Sequence, residues 1–255
     1  MVTRSAADYY ADVQLLRGRA SWVKLAILLA VLAVLPLILP GYRIYTLNYM
    51  AIFVIVGLGM NILVGDTGQV SLGHAGFLAI GAFTTVLMMT EVGAPFVLAL
   101  PVAGLVTAGF GFLLGLPALR LQGPYLAIVT LGFGLAITQI IGHWEIFGGH
   151  MGLVVPTATL GPISLSGDMS KYYLIVGAAL VLALCARNIS VTRVGRAFRA
   201  IRDSEIAAAT MGVNVAYYKT LSFALSAAFT GIAGGLLAIM TGFISPGDFH
   251  FLLSL

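Results

Sequence analysis

The sequence predicts an all-α fold, a polytopic bundle of about seven transmembrane helices with its N-terminus in the cytoplasm. Three observations support this. The 255 residues are 60% hydrophobic and only 9% charged, where a soluble domain carries about 25% charged residues. So much apolar side chain could not be covered by the polar surface available. The apolar residues fall into blocks close to the roughly 20 residues a helix needs to cross a bilayer. Lysine and arginine concentrate on alternate connections between the blocks, as the positive-inside rule requires. The net charge of +4 therefore follows membrane topology and is no argument for nucleic acid.

The seven blocks are residues 25–40, 44–63, 71–90, 96–116, 124–142, 172–186 and 218–242. The first follows a basic segment, as a signal peptide would, but the sequence after it is LPLILPGYRIY, without a small-x-small cleavage site, so it is retained as a helix. The second and third flank the glycine-rich stretch Gly65–Phe77. Pro95, Pro117 and Pro124 stand near the ends of the fourth and fifth blocks, where a helix tolerates proline. The first and sixth are short, a mismatch that interfacial side chains and local thinning can absorb. Trp22, Tyr42, Tyr45, Trp144, Tyr172, Tyr173, Tyr217 and Tyr218 gather at block edges, the headgroup position that Tyr and Trp prefer.

With the N-terminus inside and all seven blocks spanning, the inside segments hold Arg4, Arg17, Arg19, Lys24, Arg120, Arg187, Arg193, Arg196, Arg199, Arg202 and Lys219, against Arg43 and Lys171 outside. The acids show no such bias. The organisation is then a cytoplasmic segment 1–24 followed by a transmembrane domain 25–255, with a long outer loop 143–171 and a cytoplasmic loop 187–217. Cys185 is the single cysteine, which rules out an intrachain disulfide.

Enzyme chemistry has no foothold. GxxxxGK[ST], whose lysine and hydroxyl hold phosphates and magnesium, does not occur, nor do GxGxxG, HExxH or CxxC. His74, His143, His150 and His250 are scattered, and His143 with His150 reads as an exposed loop pair. No metal site, cofactor or own ATPase site is expected.

The stretch GDTGQVSLGHAGF, Gly65–Phe77, is read as a turn and a glycine-rich helix start, with Ser71 a plausible cap. In lipid, broken backbone is tolerated only where protein or a water-filled cavity surrounds it, and polar residues at membrane depth face the bundle interior. Asn61, Gln69, Ser71, His74, Thr130 and Gln139 are therefore candidates for a translocation path. Gly111 with Gly115 and Gly231 with Gly235 form GxxxG spacings, read as packing within the bundle rather than as a dimer interface.

Five arginines lie between 187 and 202. Each would cost roughly 2.5–3.5 kcal/mol at the bilayer centre, which keeps this segment out of the core. Ala197, Ala200, Ile201, Ala208 and Met211 recur at helical spacing, and Gly212 before Asn214 is a helix stop. The pattern fits a surface helix that fixes topology or a helix that docks a cytoplasmic partner.

The run RVGRAFRAIRDSEIAAATMGVNVAYYKTLSF resembles the cytoplasmic loop of ABC importer permeases for branched-chain amino acids, of the LivM type. Glu205, Ala207, Ala208 and Gly212 match that family's glutamate–alanine–alanine…glycine loop. MNILVGDTGQVSLGHAGFLAIGAF at 60–83 and GPYLAIVTLGFG at 123–134 are similar to two further blocks of the family, in the same order. The resemblance implies a permease in a bacterial-type plasma (inner) membrane. Its implied partners are a second related permease, two cytoplasmic ATPase subunits and a periplasmic or extracellular solute-binding protein. Arg196–Gly212, with Arg199, Arg202, Asp203, Glu205, Ala207 and Ala208, would be the coupling helix on which the ATPases act. The family continues past SPGDFHFLLSL with further spans, so the chain reads as C-terminally truncated. Related permeases serve urea or short amides. An ion-coupled secondary transporter and a non-transporting remnant stay open as other readings.

Overall fold

The computed structural model describes residues 19–121, 123–160, 163–164 and 167–250. Arg4, Arg17 and most of the 1–24 segment lie outside these residues. Among the described residues nine α-helices follow in order: α1 (Arg19–Ile38), α2 (Gly41–Met60), α3 (His74–Thr90), α4 (Phe96–Ala118), α5 (Pro124–His143), α6 (Asp168–Val191), α7 (Arg193–Asp203), α8 (Glu205–Thr210) and α9 (Val215–Thr241). A π-helical turn, Asn61–Asp66, prolongs α2. Contacts divide the chain into two units, Met1–Ile44 and Tyr45–Leu255. The first contains α1, an apolar helix with Pro36 near its end.

Seven apolar helices coincide with the seven blocks. Five are long and apolar enough to cross a membrane: α2 with its π-helical turn, α4, α5, α6 and α9. The apolar part of α1, Ala26–Ile38, and α3 are shorter. The sixth block is thus not a short span, because α6 runs for 24 residues. Apolar counting runs only from Tyr172 to Ala186, whereas the helix continues through Lys171 and Arg187, whose long side chains can reach the interface. The third block begins too early, since Ser71–Gly73 are not helical.

The second unit is built around α9, which packs along α3 and α4. Glycine allows this closeness. A Cβ on Gly111 would stand 2.7 Å from the Phe223 carbonyl oxygen, and one on Gly115 would stand 2.8 Å from Thr220 Cα. On the other side a Cβ on Gly81 would fall on the backbone of Gly231, and one on Gly234 on the Leu78 carbonyl. Both GxxxG pairs therefore serve packing within the bundle, as their spacing predicts. The same contacts set directions, with α3 parallel to α9 and α4 antiparallel. Ile52 and Ile55 of α2, Leu78 and Phe83 of α3, and Phe229 and Leu236 of α9 fill a common core.

The described residues of the 143–171 connection form two 3₁₀ turns and three two-residue strands. β1 (Leu153–Val154) pairs antiparallel with β4 (Phe243–Ile244), and Val155 N–H donates to the Gly242 carbonyl, so the loop is tied back to the end of α9. β2 (Thr159–Leu160) pairs with β3 (Ile163–Ser164). His143 and His150 are exposed here, edge to face with ring centroids 5.3 Å apart. Of the belt aromatics with described side chains, Tyr42, Tyr45, Trp144, Tyr173 and Tyr217 are exposed, Tyr218 is half-buried, and Tyr172 is buried.

The segment read as one helix over 196–212 is two. Ser204 takes an extended conformation, and its hydroxyl caps α8 by accepting the Ala207 N–H at 3.2 Å. After α8, Gly212 adopts φ +83°, a left-handed conformation that glycine takes without steric cost, and Val213 N–H closes back on the Ala208 carbonyl. Asn214 then caps α9 by accepting the Tyr217 N–H. The stop at Gly212 is as the sequence predicts; the break at Ser204 is not.

Candidate functional site

The chain between α2 and α3 leaves helix at Thr67 and regains it at His74. His74 bonds through Nε2 to Ser226 Oγ at 2.8 Å. Ser226 lies about 16 Å along α9 from its start at Val215. Residues 67–73 are thus a non-helical segment that climbs into the bundle, and α3 is short because it begins there. Irregular backbone at such depth must find partners in protein. Here Gly68 N–H donates to Val64, Gln69 N–H to Leu63, and Leu72 N–H to Thr130 Oγ1 at 2.9 Å. Gly68 has φ +73°. At Gly73 a Cβ would stand 2.5 Å from the Thr130 carbonyl oxygen, so only glycine lets α5 come this near.

Around this segment the structure gathers Gln69, Ser71, His74 and Thr130, all buried. Gln69 Nε2 donates to Ser222 Oγ at 2.9 Å, and Thr130 Oγ1 donates to the Ala127 carbonyl. Ser71 does not cap α3; the residue before the helix is Gly73, and Ser71 Oγ accepts the Gly73 N–H at 3.4 Å. Gln69 Oε1 and His74 Nδ1 are buried without a hydrogen-bond partner, an arrangement that costs roughly 1–3 kcal/mol per group.

Asn61 and Gln139 are not part of this cluster. Both are exposed; the Asn61 side chain folds over Gly65, and the Gln139 backbone carbonyl takes the His143 Nδ1 bond. Ser222 and Ser226, which the sequence reading omitted, complete the cluster from α9. With Thr230 they recur every four residues in an apolar helix, the one signal that could have found them.

The coupling-loop residues form a second group at the opposite face of this break. Arg202 Nη1 donates to the Gly65 carbonyl at 2.8 Å and pairs with Asp203 at 3.5 Å. Arg199 Nη1 donates to the Ser190 carbonyl, and Ser190 Oγ donates to Asp66 Oδ2 at 2.7 Å. Helix α7 is therefore clamped on the ends of α2 and α6, with Phe198 and Ile201 buried beneath it. Arg196 is exposed and reaches the Val191 carbonyl at 3.4 Å. On α8, Ala207 is exposed and Ala208 buried, and Glu205 makes an ion pair with Lys219 of α9. Lys219 is only 2% exposed. Met211 is 84% exposed rather than on the buried face, because the break at Ser204 resets the helical phase. A cavity of about 340 Å³ is lined by residues of α7 and α8, by Thr67–Gln69 of the break, and by Leu121, Gly123, Leu126 and Lys219. Among the described residues no group of three or more His, Cys, Asp or Glu could hold a metal.

The family described as "Branched-chain amino acid transport system / permease component" matches residues 42–255, a range that takes in the broken segment and the arginine-bearing loop. The chain belongs to this family. Among curated relatives of the permease family, the protein named "High-affinity branched-chain amino acid transport system permease protein LivM" from Salmonella typhimurium is 40% identical over 225 residues. That alignment covers 78% of this chain and 53% of the relative. The Escherichia coli K12 LivM gives the same identity and coverage. A "Probable branched-chain amino acid transport permease protein LivH" from Methanocaldococcus jannaschii is 27% identical over 210 residues, covering 78% of this chain and 67% of the relative. The chain spans about half the length of the LivM relatives it matches. No solved structure matches. With five membrane-capable helices, this permease-family chain is a multi-pass protein of the inner (plasma) membrane.

Proposed function

We propose that the chain acts as a transmembrane permease subunit of an ATP-binding-cassette importer, translocating branched-chain or related amino acids delivered by a solute-binding protein. One observation carries this reading. The arginine-bearing loop is wired to the buried polar break through Arg202 and the Gly65 carbonyl, and through Glu205, Lys219 and Ser222 to Gln69. A push on α7 or α8 would reach the polar cluster without crossing a soft element.

In this reading two cytoplasmic ATPase subunits act on the importer, one of them docking on α7 and α8. A second related permease completes the pathway, and the solute-binding protein works at the opposite face. ATP drives transport by favouring one arrangement of the coupling loop over another, since a ligand shifts a two-state equilibrium only through its differential affinity. Gln69, Ser71, His74, Thr130, Ser222 and Ser226 lie along the path. The arginines at one end of the bundle support a cytoplasmic position for that end, by the positive-inside rule. Ile206 and Met211, 81% and 84% exposed beside the arginines, are the apolar anchors of docking.

The test is co-purification with the ATPase subunits encoded in the same genome, together with amino acid uptake in cells lacking their own permease. Ile206→Asp with Met211→Asp is expected to cut ATPase capture about tenfold, the loss of roughly 1.4 kcal/mol of binding, while leaving the bundle folded. Capture unchanged by the pair, or uptake that persists without any ATPase, overturns the reading.

A further inference from the structure

We propose that the apolar groove along α3 holds acyl chain of a phospholipid whose headgroup carries an amine. The lipid comes from the leaflet facing away from the arginine-bearing loop, a placement that rests on the topology of the permease reading. The groove has a volume of about 650 Å³ and is lined by α3, α4, α5 and the turn at Ile146 and Phe147. Its walls are apolar except at Thr84 and Glu91.

Its depth is that of one leaflet. Along α3 it runs from Ile80 to Glu91, about 16 Å at 1.5 Å per residue. The hydrocarbon core of a bilayer is about 30 Å thick, so one leaflet supplies about 15 Å of it. A helix of another subunit crosses the full thickness and would need a groove about twice as long. The groove is also open at its sides, since Val106 and Phe110 of α4 are each 38% exposed and Ile140 of α5 is 45% exposed. Chains of the surrounding lipid reach it without passing through protein.

Lipid is as apolar as leucine, so the apolar walls by themselves select no lipid. Selection falls to the mouth. Glu91 ends α3 there and Trp144 ends α5; both are exposed and both line the groove. Trp144 takes the headgroup position that tryptophan prefers. Glu145, also exposed, follows it, and no lysine or arginine lines the groove. The ammonium of an amine headgroup is matched by Glu91. An anionic headgroup without an amine would bring its phosphate to a carboxylate with no cation to offset it.

The experiment is quenching of Trp144 fluorescence by brominated lipid. Trp22→Phe leaves Trp144 as the single tryptophan. The chain is reconstituted in vesicles of equal parts phosphatidylethanolamine and phosphatidylglycerol, with bromine on the acyl chains of one lipid or the other. Brominated phosphatidylethanolamine is expected to quench with about threefold higher relative occupancy, within the range an exposed ion pair supplies, and Glu91→Gln is expected to make the two lipids equal. Thr84→Phe, which fills the groove, should also abolish the preference; Val106→Phe repeats this test from α4 if the first variant is not monodisperse. Equal quenching by the two lipids in the parent overturns the proposal, as does a preference that survives Glu91→Gln. Weak quenching by both would show protein covering the groove and overturns it as well. ATPase capture on the same preparation tests the importer reading separately, since its loss leaves a lipid preference standing.

Discussion

Helices α6 and α9 are of similar length and nearly equal hydropathy, yet 78% of the most apolar stretch of α9 is buried inside the chain, against 11% for α6. Hydropathy therefore reports the bilayer and not the bundle. Lipid is as apolar as leucine, so helices in a membrane associate through close packing and hydrogen bonds. Helix α9 has the means for both: Gly234 admits the α3 backbone at Leu78, Gly231 and Gly235 admit the Thr107 and Thr85 side chains, and Ser222, Ser226 and Thr230 offer hydroxyls. The middle of α6 offers valine and leucine, and its Gly177 has open space where a Cβ would stand.

The sharpest way to break this comparison is to put the same side chain on both sides of it. Gly81→Val drives two methyl groups into the backbone of Gly231 where α3 crosses α9. Overpacking costs about 1–3 kcal/mol and occasionally more, and backbone cannot step aside as a flexible side chain can. The expected outcome is a loss of about 3 kcal/mol or more, seen as collapse of the monodisperse peak in size-exclusion chromatography after heating in detergent. Gly177→Val on α6 is expected to leave that peak within about 0.5 kcal/mol of the parent, as for other substitutions at open surface positions. Equal damage at the two sites would mean that α6 packs inside the chain after all.

The next largest effect belongs to the base of α9. Removing one partner of a buried ion pair costs roughly 3–5 kcal/mol because the other charge is left without compensation. Here the pair is asymmetric. Glu205→Ala strands a buried ammonium, whereas Lys219→Met leaves a carboxylate that water can reach. Thermal stability in detergent should fall by about 2 kcal/mol for the first, discounted for the exposure of Glu205, and by about 1 kcal/mol or less for the second. A reversed order would show that Lys219 is solvated.

A smaller loss is expected at the polar cluster. Ser226→Ala removes the hydroxyl that His74 Nε2 meets, on a ring whose Nδ1 already lacks a partner. Leaving a buried polar atom unmade costs about 1–3 kcal/mol, and a water entering the space vacated would bring the loss near 1 kcal/mol. The same thermal assay reads it, and Ser226→Thr, which keeps the hydroxyl, should recover part of the loss.

Much of this was legible beforehand, and the failures have physical causes. Seven apolar blocks became seven apolar helices because the cost of exposing backbone in lipid leaves a long apolar run little choice but helix. Within the third block, Ser71–Gly73 run irregularly, with Leu72 N–H donating to the Thr130 hydroxyl of α5 instead of to a helical carbonyl. Such partners are remote in sequence and invisible to a local count. The break at Ser204 was visible in principle, since a serine followed by Glu205 is a helix-start pattern, but the arginine spacing masked it. Of the residues chosen for polarity at depth, Gln69, Ser71, His74 and Thr130 are buried together, whereas Asn61 and Gln139 are exposed, because polarity gives depth and says nothing of which way a helix faces. Ser222 escaped notice because a serine in a helix can satisfy itself, as this one does on the Lys219 carbonyl, and so carries little signal of a partner.

The smallest expected effect is the one that tests the other half of the comparison. Val181 and Leu184 are 60% and 57% exposed on α6, and neighbouring Cys185 is exposed as well. Truncating both to alanine should change the stability of the isolated chain by less than about 0.5 kcal/mol, because surface substitutions remove few contacts. A null result there has content only beside a second measurement. If this face meets lipid alone, the double variant should also leave co-purification with a second permease subunit unchanged. If α6 supplies part of the seam between two permeases, stability of the isolated chain stays put while capture of the second permease falls. Either way α6 and α9 differ in what covers them: α9 is covered by its own chain, and α6 by whatever surrounds it.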